Sequence, residues 1–242
     1  MYFLIYGICY TCITMKENYT PLSTSHKDHD AAAAHSKYQH VWWRAGLFSL
    51  FILFIVFGYN FLQMETLSLR VWNRSFADAG MILIGISFAL SGLCYFFNFL
   101  DTKILYRRDL GLNGFYMVAV HGLYSFLFNK FTPWFKYFES DRLLAFVPAV
   151  ISLLIFFGMA LISNKYAAKA LGSEKWRAML RLGYIAYILG AVHAVLWGFD
   201  DWQEWFGTST LPPISLVIAV FVTFVLVLRI ALWFALKRGS KK

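Results

Sequence analysis

The sequence predicts an all-α integral membrane protein with six transmembrane helices in one bundle. Three observations carry that expectation: a composition too apolar for a soluble domain, six apolar stretches of spanning length, and basic residues that alternate from loop to loop. Of 242 residues, 60% are hydrophobic, 20% aromatic and 14% charged, whereas an ordinary soluble domain is about 25% charged. Crossing a hydrocarbon core of about 30 Å takes roughly 20 apolar residues in helical conformation. Stretches of that kind occur at residues 43–62, 76–100, 112–128, 144–162, 179–198 and 214–236. They divide the chain into an amino-terminal arm (1–40), a six-span membrane domain (41–238) and a basic tail (239–242).

Lys and Arg favour the cytoplasmic side of a membrane. Lys103, Arg107 and Arg108 follow the second span; Lys165, Lys169, Lys175, Arg177 and Arg181 follow the fourth; Lys237, Arg238, Lys241 and Lys242 follow the sixth. The opposite ends carry Arg70, Arg74, Lys130, Lys136 and Arg142 together with Glu65, Glu139, Asp141, Asp200, Asp201 and Glu204. Both termini are therefore expected in the cytoplasm, and the third and fifth spans run in the same direction, from inside to outside. The net charge of +9 follows from this bias and from attraction to anionic lipid, with no call for nucleic acid as a partner.

The arm reads differently from the rest. Residues 1–14 are apolar and carry Cys9 and Cys12, but they are too few to span and no basic stretch precedes them as a signal peptide requires. An upstream start, with the natural protein beginning at Met15, accounts for them. The Cys-x-x-Cys spacing lacks the βαβ context of a redox pair, and Cys94 sits alone in the second span. His26, His29, His35 and His40 are irregularly spaced in a polar segment, which fits a solvated, partly disordered arm better than a metal site.

Chemistry concentrates in the third and fifth spans. The third opens Arg107-Arg108-Asp109-Leu110-Gly111-Leu112 and places His121 about 14 Å beyond Leu112 at the helical rise. The fifth is announced by Leu171-Gly172-Ser173-Glu174-Lys175-Trp176, continues through Arg181, Tyr184 and Tyr187, and carries His193 about 20 Å or more beyond the interfacial Trp176. Intramembrane ionisable residues usually mark a site. Neutral imidazole is also a usual axial ligand of haem iron, so one histidine from each of two parallel helices can clamp a porphyrin. The alternative is two unrelated histidines bonded to neighbouring helices or lining a proton path. Gly122, Gly183 and Gly190 leave room for a flat macrocycle, or simply let helices approach.

These residues resemble a known family. Arg107-Arg108-Asp109-Leu110-Gly111-Leu112 with His121, then Leu171-Gly172, Trp176, Tyr184 and His193, are similar to the ferric reductase-like transmembrane domain. Within it the likeness is to the haem-binding membrane subunits of bacterial periplasmic methionine sulfoxide reductase systems. The resemblance covers the second to the sixth span and implies a six-helix cytochrome b in the bacterial inner membrane, with His121 and His193 as axial ligands. Many relatives carry a further histidine thirteen residues before the outward ligand of the fifth span; here that position is Leu180. One haem b is therefore expected, on the outward side.

With one haem, electron entry from the cytoplasm becomes the difficulty. A flavin or quinone bound transiently near the haem, an aromatic path through Trp176, Tyr184 and Tyr187, or donor and acceptor both outside would each resolve it. Interfacial anchoring and packing equally explain the aromatics. Arg107, Arg108 and Arg181 are weak candidates for a haem propionate, a flavin phosphate or lipid headgroups, since topology alone explains them. Asp200-Asp201-Trp202-Gln203-Glu204-Trp205 reads as an outer loop, suited to a periplasmic partner or to the interface, and Arg229 lies well inside the sixth span. No G-x-G-x-x-G motif is present, so any flavin or nicotinamide domain is expected on another chain. The expected function is single-electron relay from a quinol or flavoprotein donor to an external acceptor. A structural haem-bearing subunit of a larger membrane complex, or a haem-free transporter or proton conductor, are the alternatives.

Overall fold

The computed structural model describes residues 24–127, 140–208 and 211–239. Within them the chain forms α1 (Thr24–Met64), α2 (Leu69–Phe96), a 3-10 helix (Asn98–Tyr106), α3 (Arg107–Leu127), α4 (Ser140–Ile162), α5 (Lys165–Leu171), α6 (Ser173–Thr208) and α7 (Ile214–Gly239). Six segments are long and apolar enough to cross a membrane: His40–Met64, Leu69–Phe96, Asn98–Leu127, Leu143–Ile162, Glu174–Gly207 and Ile214–Arg238. The architecture is an all-α membrane bundle, as expected from composition. Trp43, Leu47, Phe51 and Phe54 on α1, and Val220, Val227 and Trp233 on α7, are exposed. In a bilayer such surface lies against lipid, which is as apolar as the side chains themselves.

Local chemistry sets the element ends. Glu65, at φ 51°, closes α1 by donating its N–H to the Phe61 carbonyl (2.8 Å), a left-handed cap. The Ser68 hydroxyl caps α2 by accepting from the Val71 N–H. Gly172, at φ 74°, turns the chain between α5 and α6, a backbone state that costs a side-chain-bearing residue more. Its neighbour in α6, Trp176, donates its indole N–H to the Ile162 carbonyl (2.9 Å) and so ties the start of α6 to the end of α4.

Two regions depart from expectation. The polar arm joins the first span as helix from Thr24 onward; alanines at 31–34 are the strongest helix formers, and an existing span supplies the nucleus that a short helix lacks. Residues 1–14, with Cys9 and Cys12, and the side chains of His26, His29 and His35 lie outside the described residues. The stretch from Asp200 to Trp205 is not a loop but part of continuous α6. Trp202 donates to the Ser215 hydroxyl (2.8 Å), and Gly198 lets the same serine approach the helix, so α7 holds this extension in place.

α2 is the central helix, packed against α1, α3 and α7, and α4 packs on α6. Its crossing with α3 is backbone-close. A Cβ on Gly80 would meet the Gly114 carbonyl at 2.8 Å, and a Cβ on Gly114 would meet the Gly80 carbonyl at 2.8 Å. Across α1, the Asn113 side-chain amide donates to the Ser49 hydroxyl (3.0 Å), which donates in turn to the Ala45 carbonyl (2.8 Å). Each such pair satisfies polar atoms that hydrocarbon cannot.

Candidate functional site

His121 projects from α3 about 21 Å along the helix from Arg107, and His193 from α6 about 18 Å from Arg181. Both therefore lie toward the end of the bundle that carries Asp200, Asp201 and Glu204, here called the acidic end. Each imidazole is half-buried. Both histidines thus sit in the same half of the bundle, on different helices.

The two rings are held in the same way. His121 Nδ1 lies 3.1 Å from the Asn73 carbonyl of α2, and His193 Nδ1 lies 2.9 Å from the Ala145 carbonyl of α4. A carbonyl only accepts, so each Nδ1 carries the proton and donates it. The Nε2 lone pair of each ring is then left available, as it is in metal-bound histidines whose other nitrogen donates to a backbone or carboxylate partner. Asn73 also donates its side-chain amide to the Ser125 hydroxyl (3.0 Å), one turn beyond His121, which locks α2 to α3 at this level. Pro148 sits inside α4. Lacking an N–H, it leaves the Leu144 carbonyl without its helical partner and opens the turn that contains Ala145.

α3 packs chiefly on α2, and α6 chiefly on α4, rather than on each other. The histidines thus belong to two helix pairs, α2–α3 and α4–α6. An imidazole whose Nδ1 proton is donated keeps its Nε2 lone pair, the kind of donor that haem iron takes. Among the described residues, no three His, Cys, Asp or Glu side chains group to hold a bare metal ion.

The other candidates fall elsewhere. Arg107 is half-buried, Arg108 and Arg181 are exposed, and all three lie at the basic end, about 18–21 Å along their helices from the histidines. Arg74, next to Asn73 on α2, meets Asp201 at 3.4 Å and Asp78 at 4.0 Å. Gly190 faces Met81 and Ser152, Gly183 faces Met159 and Phe88, and Gly122 faces Leu153, so each serves close packing. Tyr184 stacks on Phe88 (4.6 Å between centroids), and Phe88 meets Tyr187 edge-on (5.6 Å). Arg229 lies over the Tyr184 ring at 5.2 Å.

Sequence reasoning missed Asp78 and its partners Asn60 and Ser75, all buried in the bundle. The usable signal was an acidic residue inside an apolar span, the same test that singled out the histidines.

No family model matches this chain. A curated relative does. Over 137 residues the chain is 24% identical to the protein-methionine-sulfoxide reductase haem-binding subunit MsrQ of Rhodospirillum rubrum. The aligned part is 56% of this chain and spans 65% of the relative's length. The relationship is distant.

Proposed function

We propose that this chain is a b-type cytochrome membrane subunit that relays single electrons through one haem held by His121 and His193. The observation that carries the reading is the paired tether: both Nδ1 atoms are spent on backbone carbonyls, which leaves both Nε2 atoms as ligands. The name of the Rhodospirillum rubrum relative, a haem-binding subunit, supports it. When bound, a haem supplies a one-electron couple; the protein supplies ligation, orientation and a low dielectric.

The residues have separable tasks. His121 and His193 bind; Asn73 and Ala145 hold the rings in one tautomer; Ser125 and Pro148 position those carbonyls. In the basic half, Phe88, Tyr184, Tyr187 and Met159 fill the core, and a leucine stands at position 180, which supports a single haem. The basic end, with Arg107, Arg108, Lys169 and Arg238, faces the cytoplasm of a bacterial inner membrane, and the acidic end faces out. An electron comes from a quinol or a flavoprotein and leaves to an external acceptor protein. Arg107, Arg108 and Arg181 at the basic end would meet lipid headgroups or a flavin phosphate.

The test is the absorption spectrum of the purified protein reduced with dithionite. We expect b-type bands, one haem per chain, and their loss in His121→Ala and His193→Ala. A wild-type spectrum without such bands would replace this reading with a haem-free transporter or proton conductor.

A further inference from the structure

Asp78 is a carboxyl inside a spanning helix, 7% exposed, and none of the tasks above uses it. Its hydrogen-bond donor is Asn60 of α1, which is fully buried and gives its side-chain amide to Asp78 Oδ2 (3.0 Å) and to the Ser75 hydroxyl (3.1 Å). Ser75 spends its own proton on the Val71 carbonyl (2.7 Å), so it can only accept from Asn60. The amide is thereby oriented with its N–H groups toward Asp78, while Asn60 Oδ1 is buried with no hydrogen-bond partner.

Arg74 stands between two carboxylates, 4.0 Å from Asp78 and 3.4 Å from Asp201. Side-chain exposure falls from 52% at Asp201 through 27% at Arg74 to 10% at Asp78. The three groups form a graded route from the acidic end into the core. With both acids ionised the trio carries one net negative charge, and a single hydrogen bond plus a long ion pair replaces little of the hydration an ionised carboxyl loses. Among the described residues, no other cation pairs with either carboxylate. The facing stretch of α1, near Asn60, has only Tyr59 as a titratable group; the α7 stretch from Ile214 to Leu228 has none; α3 offers His121, Tyr116 and Tyr124; α6 offers Tyr184, Tyr187, His193, Asp200, Asp201 and Glu204.

We propose that Asp78 is a proton-binding site coupled to the electron site between His121 and His193, filled from the acidic end past Asp201 and Arg74. The inference rests on the haem reading. Asp78 lies about 7.5 Å along α2 from Asn73, whose carbonyl holds His121. An electron added in a low-dielectric core raises the cost of a neighbouring negative charge. The step balances: the reductant gives one electron to the haem site, and water at the acidic end gives one proton to the Asp78 carboxylate, where an O–H bond forms. Arg74, released from Asp78, then pairs with Asp201 alone.

Redox titration of the haem absorbance in the purified full-length protein, over a series of pH values, tests this. The wild-type midpoint should fall as pH rises, by up to about 59 mV per tenfold drop in proton activity for one proton per electron. Asp78→Asn should keep the b-type bands and lose the slope, whereas Arg74→Gln should move the sloping window to higher pH. Should Asp78→Asn fail to fold, the reduced-minus-oxidised infrared spectrum of the wild type decides, through the gain of a protonated-carboxyl band. Absence of haem bands overturns the proposed function itself. Haem present with a pH-independent midpoint, a slope that survives Asp78→Asn, or no carboxyl band overturns this inference alone.

Discussion

In the acidic half of the bundle, α3 and α6 each present an imidazole whose Nδ1 is tied to a neighbouring carbonyl and whose Nε2 is left over. In the basic half, α2, α4, α6 and α7 present Phe88, Met159, Tyr184, Tyr187 and Arg229, which contact one another through ring faces, a thioether packed on Gly183 and a cation. The contrast lies in what the polar atoms do. The first half leaves two ligand atoms unspent; the second uses its aromatic surface to close the core, and even the buried Tyr187 hydroxyl has no hydrogen-bond partner. One helix bundle therefore disposes its polar atoms differently at two levels without a change in its helices.

The largest test of that contrast removes a ligand. His121→Ala or His193→Ala should abolish the b-type bands while circular dichroism stays helical, because the helices are held by α2 and α4 rather than by the imidazoles. Next in size is Gly80→Leu, which drives a side chain into the Gly114 carbonyl. Overpacking of this kind costs about 1–3 kcal/mol, measurable as earlier unfolding in a detergent titration, and should weaken haem retention through the displaced α3.

Smaller effects separate position from ligation. Trp176→Phe removes the single bond from α6 to the Ile162 carbonyl, worth about 1 kcal/mol, and should lower thermal stability with an unchanged haem spectrum. Pro148→Ala restores an N–H to α4 and tightens the turn around Ala145; the haem should stay, with a shifted reduced band as the His193 tether changes. Leu180→His should do least. It returns a histidine to the basic half, but Phe88, Tyr184 and Met159 already fill that level, so a pyridine assay should still count one haem per chain.

The fold was legible because hydrocarbon imposes two demands that composition reveals, apolar length and internally satisfied backbone. Hence all six spans were placed, with errors at their ends. Residues from Asp200 to Trp205 read as a loop because they are polar, yet a helix can run on into water when a neighbour such as Ser215 holds it. His121 and His193 were legible as rare ionisable residues in apolar runs. Asp78 obeyed the same rule and was overlooked, since its partners Asn60 and Ser75 come from separate places in the chain.

The sequence by itself determined the class, the number of spans and which two imidazoles share a direction, because each is set by residue type and spacing along one chain. Only the tertiary structure decided the tether of each Nδ1, the Gly80–Gly114 crossing and the sharing of Arg74 by two acids. A backbone carbonyl carries no residue signature, and a close approach between helices depends on crossing angle and register, which no single segment specifies.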